Sequence, residues 1–297
     1  MNDLQKFKEK FDPYLKRFLE QKIDSLSKYS TDIYISGYIN YVKKIALMGG
    51  KRIRPYIAYL SYFAFGGKEV EKALKILVSL EIFHLFALIH DDIMDKDNMR
   101  HNLQTSHSYI ADKLKKERGN KNYKHAGNSQ AILLGDLFFN WSAEIINLNL
   151  DSDQTIMQRI RQLFFDMVDG TIIGQMLDID SQSRHKITPT LNSKINYLKT
   201  ARYSFIYPLL IGASLAIKID KDIEEMLEEL GLNLGMAFQA QDDIFDVTQN
   251  AVDIKQNKKV IENNFNQAIN LVSKLPIKEN VKSTFLNLIE IIEKRSF

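Results

Sequence analysis

Cysteine is absent from the 297-residue chain. That excludes disulfides, thiolate metal sites and a cysteine nucleophile, and it fits a reducing cytoplasm. Net charge is nearly absent too, with 40 Lys and Arg against 37 Asp and Glu, a balance of +3. The basic residues are interspersed with Glu, so no clustered face reads as a nucleic-acid footprint. The opening residues, Met1-Asn2-Asp3-Leu4-Gln5-Lys6, lack the apolar core of a secretory signal. The longest apolar stretch, Phe205 to Ile217, is shorter than a bilayer crossing and carries Pro208 and Gly212. A cytoplasmic protein without a transmembrane segment is the expectation. No internal repeat of solenoid period is present.

Apolar residues, at 45% of the chain, are ample for a core. They follow the helical period: Phe7, Phe11, Tyr14, Leu15 and Phe18 share one face, and Leu74, Leu77 and Leu80 share another. No window shows convincing period-two alternation. Helix-ending signals are sparse, at Gly49-Gly50, Gly66-Gly67, Gly119, Asp151-Ser152-Asp153 and Pro276. Thr188-Pro189 reads as an N-cap with proline at the first helical position. The pattern predicts an all-α protein, a single domain over residues 1–297 with about ten to twelve helices and short connections. Two segments depart from it. The Lys- and Asn-rich residues 112–124 read as an exposed loop, and residues 247–259 break the helical period.

Asp91, Asp92 and Asp95 form an Asp-Asp-x-x-Asp cluster, and Asp242, Asp243 and Asp246 form another. Residues four apart share a helix face, so Asp91 meets Asp95 and Asp242 meets Asp246. Like charges so spaced cost roughly 0.2–0.5 kcal/mol per pair unless a cation lies between them. Leu85-Phe86-Ala87-Leu88-Ile89 precedes the first cluster, and Phe238, Ile244 and Phe245 surround the second, which predicts largely buried helices. A buried carboxylate must be paired or hold a metal. Hard oxygen donors without Cys or a His pair suit Mg²⁺, which commonly joins carboxylates to substrate phosphates. One cluster alone would equally suit a solvated acidic face. Two alike, in equivalent apolar settings, do not.

Gly49-Gly50-Lys51-Arg52-Ile53-Arg54-Pro55 places three cations after a flexible Gly pair, with Pro55 suited to a first helical turn. Free N–H groups at a helix start, beside Lys and Arg, make a diphosphate site. An ordinary basic helix start has the same look. His84 lies on the face of Asp91, Arg100 and His101 follow the first cluster, and Gln175 and Asp178 belong to another helix. Lys199-Thr200 opens a long apolar stretch. Singly, His84 reads more simply as a core histidine, and Tyr203, Phe205 and Tyr207 as core aromatics.

Taken in order, these pieces resemble the trans-type polyprenyl synthetase family, which includes the farnesyl and geranylgeranyl diphosphate synthases. The matching motifs are Gly-Lys-Arg-x-Arg-Pro, Glu81-x-x-His84, Asp91-Asp92-x-x-Asp95, Arg100, Gly174-Gln175-x-x-Asp178, Lys199-Thr200 and Gly235-x-x-Phe238-Gln239-x-x-Asp242-Asp243-x-x-Asp246. The resemblance implies an isoprenoid synthase-like bundle around a central cavity, and a homodimer. It implies condensation of isopentenyl diphosphate with an allylic diphosphate to a short-chain product of about C15 to C20, with about three Mg²⁺ ions. Lys51, Arg54, His84 and His101 would hold isopentenyl diphosphate. Arg100, Lys199, Gln239 and Lys258 would hold the allylic diphosphate, with Lys199, Thr200 and Gln239 acting near the reacting carbon. Asp91, Asp95 and Asp242 would bind Mg²⁺, supported by Asp92, Asp243 and Asp246. Phe86, five residues or about 7.5 Å along the helix from Asp91, would stop chain growth, with Phe83 one turn deeper as a second floor.

The chain departs from the family pattern in two places. His101 stands where a second arginine is usual and cannot offer a bidentate fork, with Asn102 in place of glycine. After Asp246 the Gly-Lys of the phosphate-closing loop is missing, although Asp253 and Lys258 match its later part. These departures keep open a non-catalytic or regulatory subunit. A terpene cyclase or head-to-head synthase also uses helical aspartates, but it has no need of the Lys51, Arg54 and His84 set.

Overall fold

Leu4, Phe7, Phe11, Leu15 and Leu19 recur every three or four positions, and in the computed structural model they form the buried stripe of helix α1, Asp3–Leu26. The structure describes residues 3–48, 50–119, 121–148, 153–184, 188–245 and 251–294. Among these, α2 (Ile33–Leu47), α3 (Ile53–Ala64) and α4 (Val70–Met94) follow. A hairpin of two short antiparallel strands, β1 (Met99–Arg100) and β2 (Leu103–Gln104), precedes α5 (Ser106–Arg118), α6 (Tyr123–Asn147) and α7 (Gln154–Gln182). Helix α8 (Pro189–Asn196) runs into a π-helical segment, Tyr197–Ile206, and this into α9 (Tyr207–Ala216). The chain ends in α10 (Lys221–Phe245), α11 (Ala251–Lys274) and α12 (Glu279–Glu293). The all-α expectation holds.

Helix ends follow the cap signals. Thr188 Oγ1 accepts from Leu191 N with Pro189 behind it, and the Asp153 carboxylate accepts from Thr155 N and Ile156 N. Gly119 closes α5 in the left-handed conformation. Pro208 has no N–H to donate and stands where the π-helical ladder gives way to that of α9.

The chain divides into two compact units, Met1–Arg52 with Leu74–Leu148, and Ile53–Ala73 with Asn149–Phe297. In the first, α1 packs on α2 and α5 on α6. Phe18 meets Trp141 edge-on, and Lys22 pairs with Glu144. In the second, α3 lies against α9, while α7 and α10 both pack on the π-helical segment. Tyr203, Phe205 and Tyr207 are buried there as core aromatics.

Three expectations need correction. Residues 112–118 belong to α5: Ile110, Ala111 and Leu114 keep an apolar face, and Lys113–Glu117 and Lys116–Asp112 pair one turn apart on the helix. Counting charges hid that face. Residues 251–259 likewise open α11, while 246–250 lie outside the described residues. Finally, α4, rather than Phe205–Ile217, is the long apolar element. It alone among the described helices is long and apolar enough to cross a membrane, with mean hydropathy 1.7, yet 67% of that window is buried inside the protein.

Helices α3 and α9 approach so closely that a Cβ on Gly212 would lie 2.0 Å from Ala58 O. Gly212→Ala should therefore lower the unfolding free energy by about 1–3 kcal/mol through overpacking, read from urea denaturation. A loss under about 0.5 kcal/mol would show that the two helices part freely.

Candidate active site

The first aspartate cluster sits where α4 ends. Asp91 and Asp92 occupy its last turn, Asp95 N still donates to Asp91 O at 2.8 Å, and Lys96 then turns left-handed at φ 59°. Asp95 is therefore exposed just beyond the helix, whereas Asp92 is 6% exposed. Burial pushes the Asp92 carboxyl up to about 6, against the pull of Arg100, with Asp91 and Asp97 adding to the rise. Arg100, on β1, donates from Nε to Asp92 Oδ1 at 2.7 Å, and its Nη2 lies 3.7 Å from Asp91 and 3.8 Å from Asp97. A guanidinium thus stands among carboxylates that would otherwise repel.

Arg100 is placed by its hairpin. The two residues between the strands, His101 and Asn102, have φ of 49° and 63°, the paired left-handed values of a tight hairpin turn. Asparagine tolerates that conformation, which accounts for Asn102 in the usual glycine position. Tyr41 Oη donates to Gln104 O, Gln104 Nε2 to Asp112, and Thr105 Oγ1 to Asp97 O. These bonds tie the hairpin to α2 and α5.

Of the three cations in Lys51-Arg52-Ile53-Arg54, the middle one is spent internally. Arg52 is 3% exposed and donates from Nε to Asp12 Oδ1 (2.9 Å), from Nη1 to Glu81 Oε1 (2.6 Å) and from Nη2 to Ala46 O (2.6 Å). Burial opposes its charge, but Glu81 and Asp12 outweigh that and raise its pKa. Its φ of 55° costs roughly 1–2 kcal/mol for a residue with a Cβ, a strain these three bonds sustain. Lys51 is exposed. In the second unit, Arg54 lies 4.1 Å above the Tyr203 ring.

The second unit gathers the later motifs. Lys199 and Thr200 lie on the π-helical segment, and two glycines let neighbours reach it. A Cβ on Gly174 of α7 would lie 2.9 Å from Lys199 N, and one on Gly235 of α10 would lie 2.4 Å from Ala201 Cα. Both motif glycines are therefore close-approach positions. The result is two contacts: Lys199 Nζ donates to Asp178 Oδ2 at 2.7 Å, and Thr200 Oγ1 to Gln239 Oε1 at 2.8 Å. Gln239 Nε2 in turn donates to Asp243 Oδ1 at 2.9 Å, orienting that carboxylate. Asp242 is half-buried beside it, and Asp246 lies outside the described residues.

On α4, one to two turns before Asp91, Phe86 is half-buried and Phe83 fully buried. Their ring centroids are 5.3 Å apart, and Phe139 of α6 lies 5.3 Å from Phe86. His90 meets Phe86 at 4.7 Å and its Nε2 is 3.1 Å from Ile132 O. Neither Phe139 nor His90 was marked by any spacing in the sequence, since each belongs to the group only through packing.

Of the remaining candidates, His84 is half-buried on α4, while His101 at the hairpin tip and Lys258 on α11 are exposed. No hydrogen bond or ion pair among the described residues ties His101 or Lys258 to the others.

The donors fit Mg²⁺. They are carboxylate oxygens without thiolates, and one of them, Asp92, is buried against a single cation. Among the described residues no three His, Asp or Glu side chains converge into an ion cage. Mg²⁺ rarely has such a cage, being held by one or two carboxylates together with waters and substrate phosphates.

The polyprenyl synthetase family model matches residues 37–293. The geranylgeranyl diphosphate synthase of Saccharolobus solfataricus is 28% identical over 303 residues, covering 95% of this chain and 80% of that one. That of Sulfolobus acidocaldarius is 31% identical over 269 residues, covering 84% and 73%. Among solved structures, a geranylgeranyl pyrophosphate synthase from Corynebacterium glutamicum, complexed with isoprenyl diphosphate and magnesium, superposes with a TM-score of 0.86. Its sequence identity is 23%, over 97% of this chain and 99% of that one, a likeness of fold. With its motifs in family order and the family model matched over most of its length, this chain belongs to the polyprenyl synthetase family.

Proposed function

We propose that this prenyltransferase joins isopentenyl diphosphate to an allylic diphosphate and releases a short-chain product of about C15 to C20, formed behind a water-excluding apolar wall. The observation that carries the reading is the pair of contacts on the π-helical segment, Lys199–Asp178 and Thr200–Gln239–Asp243. They join a cation, a hydroxyl, an amide and two carboxylates drawn from three separate motifs.

In this reading Lys51, Arg54 and His84 hold isopentenyl diphosphate, with His101 in a lesser part. Arg100, Lys199, Gln239 and Lys258 hold the allylic diphosphate. The allylic C–O bond breaks first, and Lys199 and Arg100 meet the charge that develops on the departing diphosphate. Asp91, Asp95 and Asp242, with Asp92, Asp243 and Asp246 in support, would hold about three Mg²⁺ ions, which would supply the further positive charge that this ionisation needs. Thr200 and Gln239 present dipoles to the allylic carbon. The double bond of isopentenyl diphosphate then attacks that carbon, a C–C bond forms, and the proton lost passes to the departed diphosphate. The intact Lys199, Gln239 and described aspartates argue against a non-catalytic subunit.

We place the protein in the cytoplasm as a homodimer working as one synthase domain. The absence of cysteine supports the first. Exposed apolar side chains on α6, Ile132 at 44% and Leu133 at 62%, support the second.

The direct test incubates the purified protein with Mg²⁺, isopentenyl diphosphate and allylic primers of graded length, then sizes the products. Elongation should occur and should stop with excess EDTA. Failure with every primer overturns the activity, and undiminished elongation in EDTA overturns the metal assignment.

Asp91→Ala and Asp242→Ala should each lower kcat by at least about a hundredfold, the scale of losing one preorganised electrostatic element. Losses below about tenfold in both would remove them from the site.

Phe86→Ala should lengthen the product by one or more isoprene units if Phe86 closes the elongation cavity. As a core residue alone it would instead cost roughly 3–5 kcal/mol of stability and leave product length as it was. Product sizing beside a thermal melt separates the two: a destabilised variant with unchanged products refutes the floor.

A further inference from the structure

Arg52 looks from the sequence like one more phosphate-binding cation, yet its guanidinium is buried and engaged on three sides. Asp12 belongs to α1, Ala46 to the last turn of α2 and Glu81 to the middle of α4. The bond to Ala46 O satisfies a carbonyl that a helix end leaves without an intrahelical donor, and it places a cation at the negative end of the helix. A single side chain therefore joins three helices of one unit. The turn that contains Lys51 is folded against that same guanidinium. A Cβ on Gly50 would lie 2.9 Å from Arg52 Nη1 and 3.5 Å from Glu81 Oε1, so only glycine fits there without displacing the clamp. Lys51 thus stands between the residue that carries the buried fork and the glycine packed against it. Because peptide units are planar, holding Arg52 at its left-handed φ fixes the plane that carries Lys51.

We infer that Arg52, clamped by Glu81 and Asp12, is a positioning residue that holds the Gly50–Arg52 turn so that Lys51 is presented to the diphosphate of isopentenyl diphosphate. The inference rests on the proposed role of Lys51 in holding that diphosphate. Arg52 itself touches no substrate. It acts through its neighbour, and it needs the planar fork, since a lysine has one ammonium and cannot reach Asp12, Glu81 and Ala46 O in three fixed directions.

The test is steady-state kinetics with both substrates, together with thermal melts, on Lys51→Ala, Arg52→Lys and the two combined. Arg52→Lys should raise the KM for isopentenyl diphosphate about tenfold or more, with kcat within about threefold and the allylic KM within about twofold. On top of Lys51→Ala it should add less than about twofold, because both act on one contact. Should Arg52→Lys not fold, Arg52→Met with Glu81→Leu removes both buried charges together, a change that buried pairs often tolerate. The folded double variant should still show the raised KM. An unchanged KM in any folded Arg52 variant, an equal rise for both substrates, or a full additive effect with Lys51→Ala overturns the proposal. If Lys51→Ala leaves the KM unchanged, the assignment of Lys51 itself falls and the proposal with it. If Lys51→Ala raises the KM while Arg52→Lys is silent, only the positioning role is lost.

Discussion

Close backbone contact at Gly174 and Gly235 governs the second unit, because the joined set of Asp178, Lys199, Thr200, Gln239 and Asp243 depends on how near α7 and α10 come to the π-helical segment. Side chains of a few atoms can bridge Asp178 to Lys199 and Gln239 to Thr200 only if the helices that carry them nearly touch. Any residue larger than glycine would force a gap of the order of a methyl group, and the bridges would open. The π-helical run serves the same end. It widens the ladder at the stretch that carries Lys199 and Thr200, and it ends where Pro208 cannot continue the bonding in any case.

In the first unit, helix α4 carries two buried carboxylates that are treated differently. Glu81 near its middle is enclosed with Arg52 as a buried ion pair. Asp92 at its end is paired with Arg100, whose guanidinium remains about a third exposed. The first pair belongs to the architecture. The second leaves a cation and a set of oxygen donors at the end of a helix, within reach of water and of an anionic ligand. Burial resists the charge on Asp92, so the site holds negative charge that another cation would relieve. That is the condition in which a divalent ion binds readily.

Much of this was legible in the residues. The aspartate clusters declared themselves by type and spacing, because carboxylates set amid Leu, Phe and Ile must be paired or gather a cation, whereas Lys199-Thr200 and Gln239 stood out only through the family resemblance. The helices followed from periodicity, since burial of one face needs nothing but that pattern. What stayed hidden depends on partners rather than on pattern. Arg52 and Lys51 are both single cations in the sequence, and only the fold shows that one is enclosed by Asp12 and Glu81. The face Ile110, Ala111 and Leu114 was masked by the charges around it. The hairpin around Arg100 is too short for any alternation to register, and its one local sign was Asn102. The π-helical ladder has no residue signature at all.

The aromatic cluster before Asp91 has a consequence for reading related sequences. Phe83 and Phe86 lie on α4, but Phe139 approaches Phe86 from α6, as closely as Phe83 does. If Phe86 is the floor proposed above, that floor is assembled from two helices and has two independent genetic handles. A relative with a small residue at the position of Phe86 would then retain its depth through bulk contributed by α6, and one with an aromatic there would lose it through a change on α6. Inventories that rank family members by one position ahead of the aspartates would then compare half of a composite trait.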